Sequence, residues 1–140
     1  KENIPMDEKT LIISCVEYFS HLKNIPGNKV FQSFQQNAIL DLLQQSHTNF
    51  PEMDLDFYAG MVDGMLLLES DAKENDYAHY KERASLILEV VSMLIQKDDL
   101  TLLDACTTYY KSETAKKVSE DSNAFYQKSA EELYSLLQAE

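Results

Sequence analysis

Tryptophan is absent, cysteine occurs twice, glycine and proline three times each, and Lys plus Arg number 12 against 24 for Asp plus Glu. Each scarcity excludes something. Cys15 and Cys106 lie far apart, each among apolar residues at helical spacing. That is the pattern of two buried thiols in a cytosolic protein, and it implies no disulfide framework. Few glycines and prolines, with few β-branched runs of strand length, argue against a turn-rich β fold. Gly27, Gly60 and Gly64 do not form the glycine cluster that cradles phosphate ahead of a helix. The net charge is −12 and the basic residues are scattered, with Lys116-Lys117 the only adjacent pair. Such a surface repels nucleic-acid backbones and anionic lipid, because binding to either relies on Lys and Arg displacing condensed cations. No run approaches the roughly 20 apolar residues that span a bilayer. Lys1 to Thr10 is polar and charged, unlike a signal peptide. The expectation is a cytoplasmic protein with no nucleic-acid or membrane partner.

What is present is amphipathic helix. A chain of 140 residues fits one domain, with possible sub-halves 1–70 and 71–140. Leu11, Ile12, Cys15, Val16, Phe19 and Leu22 form one stripe behind an N-cap at Asp7, and Asn24-Ile25-Pro26-Gly27 ends it. A second stripe, Val30, Phe31, Phe34, Ala38, Ile39, Leu42 and Leu43, follows a cap at Asn28 and makes an αα-hairpin with the first. A third helix starts at Pro51 or Asp54 and carries Leu55, Tyr58, Ala59, Val62, Met65 and Leu66. Its Gly60 and Gly64 suggest a close helix crossing. Ser70 to Asp76 reads as a break or an exposed bridge. Tyr77 through Ile95 forms the most regular stripe, closed by Lys97-Asp98-Asp99, which also caps the next helix. Leu100–Tyr110, a short helix from Ser112-Glu113-Thr114 to Val118, a turn at Asp121-Ser122-Asn123, and a last helix opened by the capping box Ser129-x-x-Glu132 complete the chain. The fold class is all-α, a compact bundle of about five to seven helices.

Chemistry-bearing patterns are sparse. The nearest approaches to the inward Glu-x-x-His pairs of a di-iron bundle are Glu17-x-x-x-His21 and Asp76-x-x-His79, neither with a matching second pair, and both read as solvent-facing. Two isolated cysteines are no zinc motif. There is no Gly-x-Ser-x-Gly elbow, and Cys15 sits mid-stripe like a small core hydrophobe. The carboxylate pairs Asp54/Asp56, Asp98/Asp99 and Glu131/Glu132 fall at expected helix starts, where they complement the helix dipole. No catalytic, metal or cofactor site is expected.

Two features point to surfaces. His47, where the second helix gives way to a loop, could cap that helix's last carbonyls or face a partner. Tyr109, Tyr110, Tyr126 and Tyr134 gather in the last third. Tyrosine suits interfaces, and it also lines cores in a chain without tryptophan. These five are the candidate interaction residues.

The runs Cys15-Val16-Glu17-Tyr18-Phe19, Ile25-Pro26-Gly27-Asn28-Lys29-Val30-Phe31 with Phe34, Ile39-Leu40-Asp41-Leu42-Leu43, and His47-Thr48 are similar to a small bacterial family of unknown function often encoded beside ADP-ribosyltransferase-like toxin domains. Ser46 replaces the leucine of that family's leucine–histidine–threonine exit, and its upstream aromatic–acidic pair is missing. Leu102-Leu103-Asp104-Ala105, Tyr109-Tyr110-Lys111-Ser112-Glu113-Thr114, Val118-Ser119 and Tyr126 to Tyr134 resemble a companion protein of the same gene neighbourhoods. The resemblance implies a regulatory or antitoxin-like binding role.

The expectation is therefore a non-enzymatic interaction protein whose partner is a protein, such as a toxin-like enzyme. Its alternatives are a helical bundle binding a small ligand or metal, and a self-assembling module that buries aromatic surface in a homodimer.

Overall fold

The computed structural model describes residues 6–66, 68 and 78–140, and every regular element among them is helical. The α-helices are α1 (Glu8–Lys23), α2 (Gly27–Gln36), α3 (Ile39–Asn49), α4 (Leu55–Asp63), α5 (Tyr80–Lys97), α6 (Leu102–Tyr110), α7 (Glu113–Val118) and α8 (Ala130–Gln138). Two 3-10 turns, Asp121–Asn123 and Phe125–Gln127, lie between α7 and α8. The all-α class holds. None of the helices among the described residues is long and apolar enough to cross a membrane. Ser70 to Asp76 and Tyr77 fall outside the described residues.

The bundle is built round α1. Leu11, Ile12, Ile13, Cys15, Val16, Glu17, Phe19 and Ser20 are all buried, so α1 is enclosed on nearly every side rather than along one stripe. It packs on α2, α3, α4 and, most extensively, α5. Asp7 caps it, accepting from Thr10 N at 2.7 Å, and Asn24 ends it in the left-handed conformation at φ 57. One core joins Phe19, Phe34, Ile39, Tyr58 and Val62 to Ile87, Val91, Leu94, Tyr109 and Leu133, thus linking both ends of the chain. Each such side chain contributes about 1.5–3 kcal/mol through burial. Cys15 and Cys106 are buried and unbridged, and desolvation pushes each thiol up to about 12. Burial thus favours the protonated thiol at both positions.

Several local expectations change. The second stripe is two helices, α2 and α3, because Ala38 takes the left-handed conformation at φ 58. Asn37 secures the break, its amide donating to Ser33 O at 3.0 Å and Ser33 Oγ at 3.1 Å. This break brings the number of α-helices among the described residues to eight. Asn28 does not cap α2, whose N-cap is Pro26, without a side-chain bond. Asp98 and Asp99 cap no helix start. Asp98 closes α5 while Thr101 caps α6, accepting from Asp104 N at 3.2 Å. Leu22, Met65 and Leu136, expected on buried faces, are 51%, 41% and 40% exposed. The cap at Asp7 and the capping box of Ser129 with Glu132 form as expected, and of the two starts read for the third helix it is Asp54 that caps it, as Ser112 caps α7.

Candidate functional site

The chain's single arginine, Arg83, is the largest fully buried side chain among the described residues. It stands in the first turn of α5 and reaches two carboxylates. Its Nε donates to Glu17 Oε1 on α1 at 3.3 Å, and its Nη1 donates to Asp121 Oδ1 in the first 3-10 turn. Tyr110 on α6 donates its hydroxyl to Glu17 Oε2 at 2.9 Å, and His79 Nδ1 lies 3.3 Å from Asp121 Oδ2. Arginine suits this place because its planar fork serves several acceptors at once and keeps its charge when desolvated.

Glu17 is therefore not solvent-facing, contrary to the sequence expectation; it is 2% exposed. Burial pushes its carboxyl up from the usual range, while the Arg83 charge and the Tyr110 hydroxyl pull it back. The carboxylate also lies against the first turn of α2. A Cβ built on Gly27 would stand 2.6 Å from Glu17 Oε2. An anion there is favoured by the partial positive end of α2, which has no capping side chain of its own. The knot thus ties α1, α2, α5, α6 and the 3-10 turn together. Two buried atoms beside it, Asn28 Oδ1 and Tyr109 Oη, have no hydrogen-bond partner. The sequence did carry a signal for this cluster. Leu11-Ile12-Ile13 makes α1 apolar round most of its circumference, which leaves little solvent for Glu17, and a lone arginine among lysines marks a position that lysine cannot fill.

The sequence-derived interaction residues scatter. Tyr109 and Tyr110 are 1% and 3% exposed. They belong to the core, with Phe31 stacked on Tyr110 at 4.8 Å, and the expected late tyrosine surface is corrected to that extent. Tyr126 is half-buried and stacks on His79 at 4.1 Å between ring centroids. Tyr134 donates its hydroxyl to Asp98 at 2.5 Å under Lys97, tying α8 to the end of α5. His47 caps nothing on α3; its Nε2 lies 2.6 Å from the Met6 carbonyl, holding the segment that leads into α1. His21 is exposed and stacks on Tyr80. Asp76 lies outside the described residues. Among the described residues no group of three or more His, Cys, Asp or Glu is arranged to hold a metal ion.

No family model, curated protein or solved structure matches the chain.

A different region has the character of a docking surface. Among the described residues, six large apolar side chains are more than a third exposed. Five of them, Leu22, Phe50, Met53, Met61 and Met65, belong to α4, its flanking turns and the end of α1. Between α1 and α4 runs an open groove of about 300 Å³, lined by Tyr18, Phe19 and Leu22 on one side and by Asp56, Ala59, Gly60 and Asp63 on the other. The close helix crossing expected at Gly60 and Gly64 does not occur, since a Cβ at either would meet nothing within 4 Å. Gly60, inside α4, therefore costs about 1 kcal/mol against alanine in helix propensity with no packing gain to offset it, whereas Gly64 is the C-cap of that helix.

Proposed function

We propose that this chain is a protein-interaction module without catalytic activity of its own, acting through the surface that α4 and the end of α1 present. The supporting observation is the concentration there of exposed leucine, phenylalanine and methionine. Exposed apolar side chains gathered in one region of a folded chain mark binding sites, and methionine's flexible thioether adapts to a partner's shape. The buried ionisable groups favour the same reading, because Arg83, Glu17, Tyr110 and Asp121 are engaged with one another and serve to join helices. The resemblance of residues 11–48 and 100–134 to proteins of toxin-bearing gene neighbourhoods supports a regulatory or antitoxin-like role.

The test is site-directed photo-cross-linking in cells of the source organism. A photoactivatable residue replacing Met61 or Phe50 should give one saturable protein adduct, and the same residue replacing Glu131 on α8 should give none. The adduct at Phe50 should fade in a Leu22→Ser, Met61→Ser variant that melts like the wild type. Equal labelling from all positions, or none from Met61 and Phe50, rejects the reading.

A further inference from the structure

We infer, resting on the interaction reading above, that the α1–α4 groove receives one apolar anchor side chain from a basic amphipathic helix of the partner protein.

The shape comes first. Asp56, Gly60 and Asp63 stand at i, i+4 and i+7 on α4 and all line the groove. They form one row, with a gap in the middle where Gly60 has no side chain and open space above it. Across the groove, Tyr18, Phe19 and Leu22 supply an apolar wall. A leucine or phenylalanine entering over Gly60 would touch that wall and the backbone of α4, the manner in which an amphipathic helix seats its anchors in an apolar groove.

The charge comes second. From Phe50 to Leu66 the chain carries Glu52, Asp54, Asp56 and Asp63 and no lysine or arginine. Asp56 and Asp63 bracket the gap about 10 Å apart along the helix axis, given a rise of about 1.5 Å per residue. A helix with a basic residue one turn to either side of its anchor matches that bracket, whereas an acidic helix is repelled by it. Lys23 pairs with Asp63 at 3.7 Å, but both side chains are partly exposed, at 27% and 59%. A solvent-exposed pair of this kind is weak enough for an incoming cation to displace.

The experiment uses the full chain and three short synthetic helices: a Leu/Lys amphipathic peptide, its Leu/Glu counterpart, and a scrambled Leu/Lys sequence without an apolar face. Binding is read by fluorescence anisotropy, and the site by backbone amide shifts. The Leu/Lys helix should bind the wild type and shift the amides of Tyr18, Leu22 and Gly60. Gly60→Leu keeps every charge but fills the gap, and should weaken binding about tenfold or more, as expected for loss of a buried anchor. Its melting temperature should not fall. Asp56→Asn with Asp63→Asn should weaken binding about threefold to tenfold and flatten its dependence on salt. Equal binding by the Leu/Glu or scrambled peptide, or unchanged affinity in Gly60→Leu, overturns the proposal. If cross-links at Met61 and Phe50 persist while these peptide results fail, the occupant is wrong and the interaction reading stands. If the cross-links also fail, both fall.

Discussion

Gly27 and Gly60 show two opposite uses of a missing side chain. At Gly27 the space is taken, because the Glu17 carboxylate sits where a Cβ would be. At Gly60 the space is empty and opens into a groove. The first glycine lets a charged group be buried and satisfied, tying five segments into one fold. The second adds nothing to the fold and keeps a surface accessible. α1 supplies both sites: Glu17 points into the knot, while Tyr18, Phe19 and Leu22 wall the groove. The contrast teaches that a polar residue on a mostly apolar helix, and a small residue on an exposed one, can matter more than the stripes around them.

The sharpest test of the filled region is Glu17→Ala. It leaves Arg83 desolvated, short of one of its counter-ions, and Tyr110 without an acceptor, and should cost about 3–5 kcal/mol in urea denaturation. Replacing the pair together, Glu17→Leu with Arg83→Met, should cost less than either single loss implies, since removing both charges removes the desolvation penalty too. The knot also predicts a pH dependence. Burial raises the folded-state value for Glu17 above its unfolded one. Its contribution is therefore fully present below the unfolded value and is lost as pH rises through the folded value. Denaturation at stepped pH should show wild type gaining stability relative to Glu17→Gln as pH falls from neutrality towards the carboxylate range. A constant difference across that range would mean that Arg83 fully offsets burial.

Gly27→Ala comes next in size. The added methyl meets Glu17 Oε2, which Tyr110 holds, on a carboxylate whose other oxygen is held by Arg83, so the group does not yield easily. Overpacking of this kind should lower stability by about 1–3 kcal/mol. If instead the variant is as stable as wild type, the carboxylate has room to turn and the knot is looser than its distances indicate.

How much of this was legible in the sequence varies with the physics involved. The caps at Asp7 and Ser129 were legible through a local rule, in which the side chain satisfies free backbone amides, whereas those read at Asn28 and Asp98-Asp99 were not, since α2 begins after Pro26 and α6 is capped by Thr101. The helical class was legible from apolar spacing and scarce turn residues. The break at Ala38 was not, since alanine is the best helix former and a left-handed alanine is imposed by the packing of α2 and α3 around it. Leu22 was misread for a related reason: it continues the α1 stripe, but no helix among the described residues covers it. Glu17 was missed because its partners Arg83 and Tyr110 lie 66 and 93 residues away on other helices, and Asp121 lies 38 residues beyond Arg83; spacing rules see only neighbours on one helix. The groove left almost no signal, because Gly60 and Gly64 are equally consistent with a tight helix crossing and with open surface.

Ala38→Gly follows. Glycine adopts φ 58 without the Cβ strain of about 1–2 kcal/mol. Part of that gain is lost to the greater freedom of glycine in the unfolded chain. The net expectation is a gain of about 0.5–1 kcal/mol in denaturation. A loss would show that α2 and α3 do not require the left-handed residue and can re-form as one helix.

Gly60→Ala returns to the opening contrast with the opposite sign from Gly27→Ala. The new methyl meets nothing within 4 Å, and alanine raises the helix propensity of α4. Stability should rise by about 0.5–1 kcal/mol. One methyl only begins to occupy the groove, so alanine at this position should retain most of the affinity for a basic amphipathic helix that Gly60→Leu weakens about tenfold or more. A series from glycine through alanine to leucine then separates two quantities that usually move together. Stability should climb at the first step and not fall at the second, while affinity should drop chiefly at the second. If affinity and stability instead fell in parallel, the space over Gly60 would belong to the fold after all, and the two glycines would no longer differ in kind.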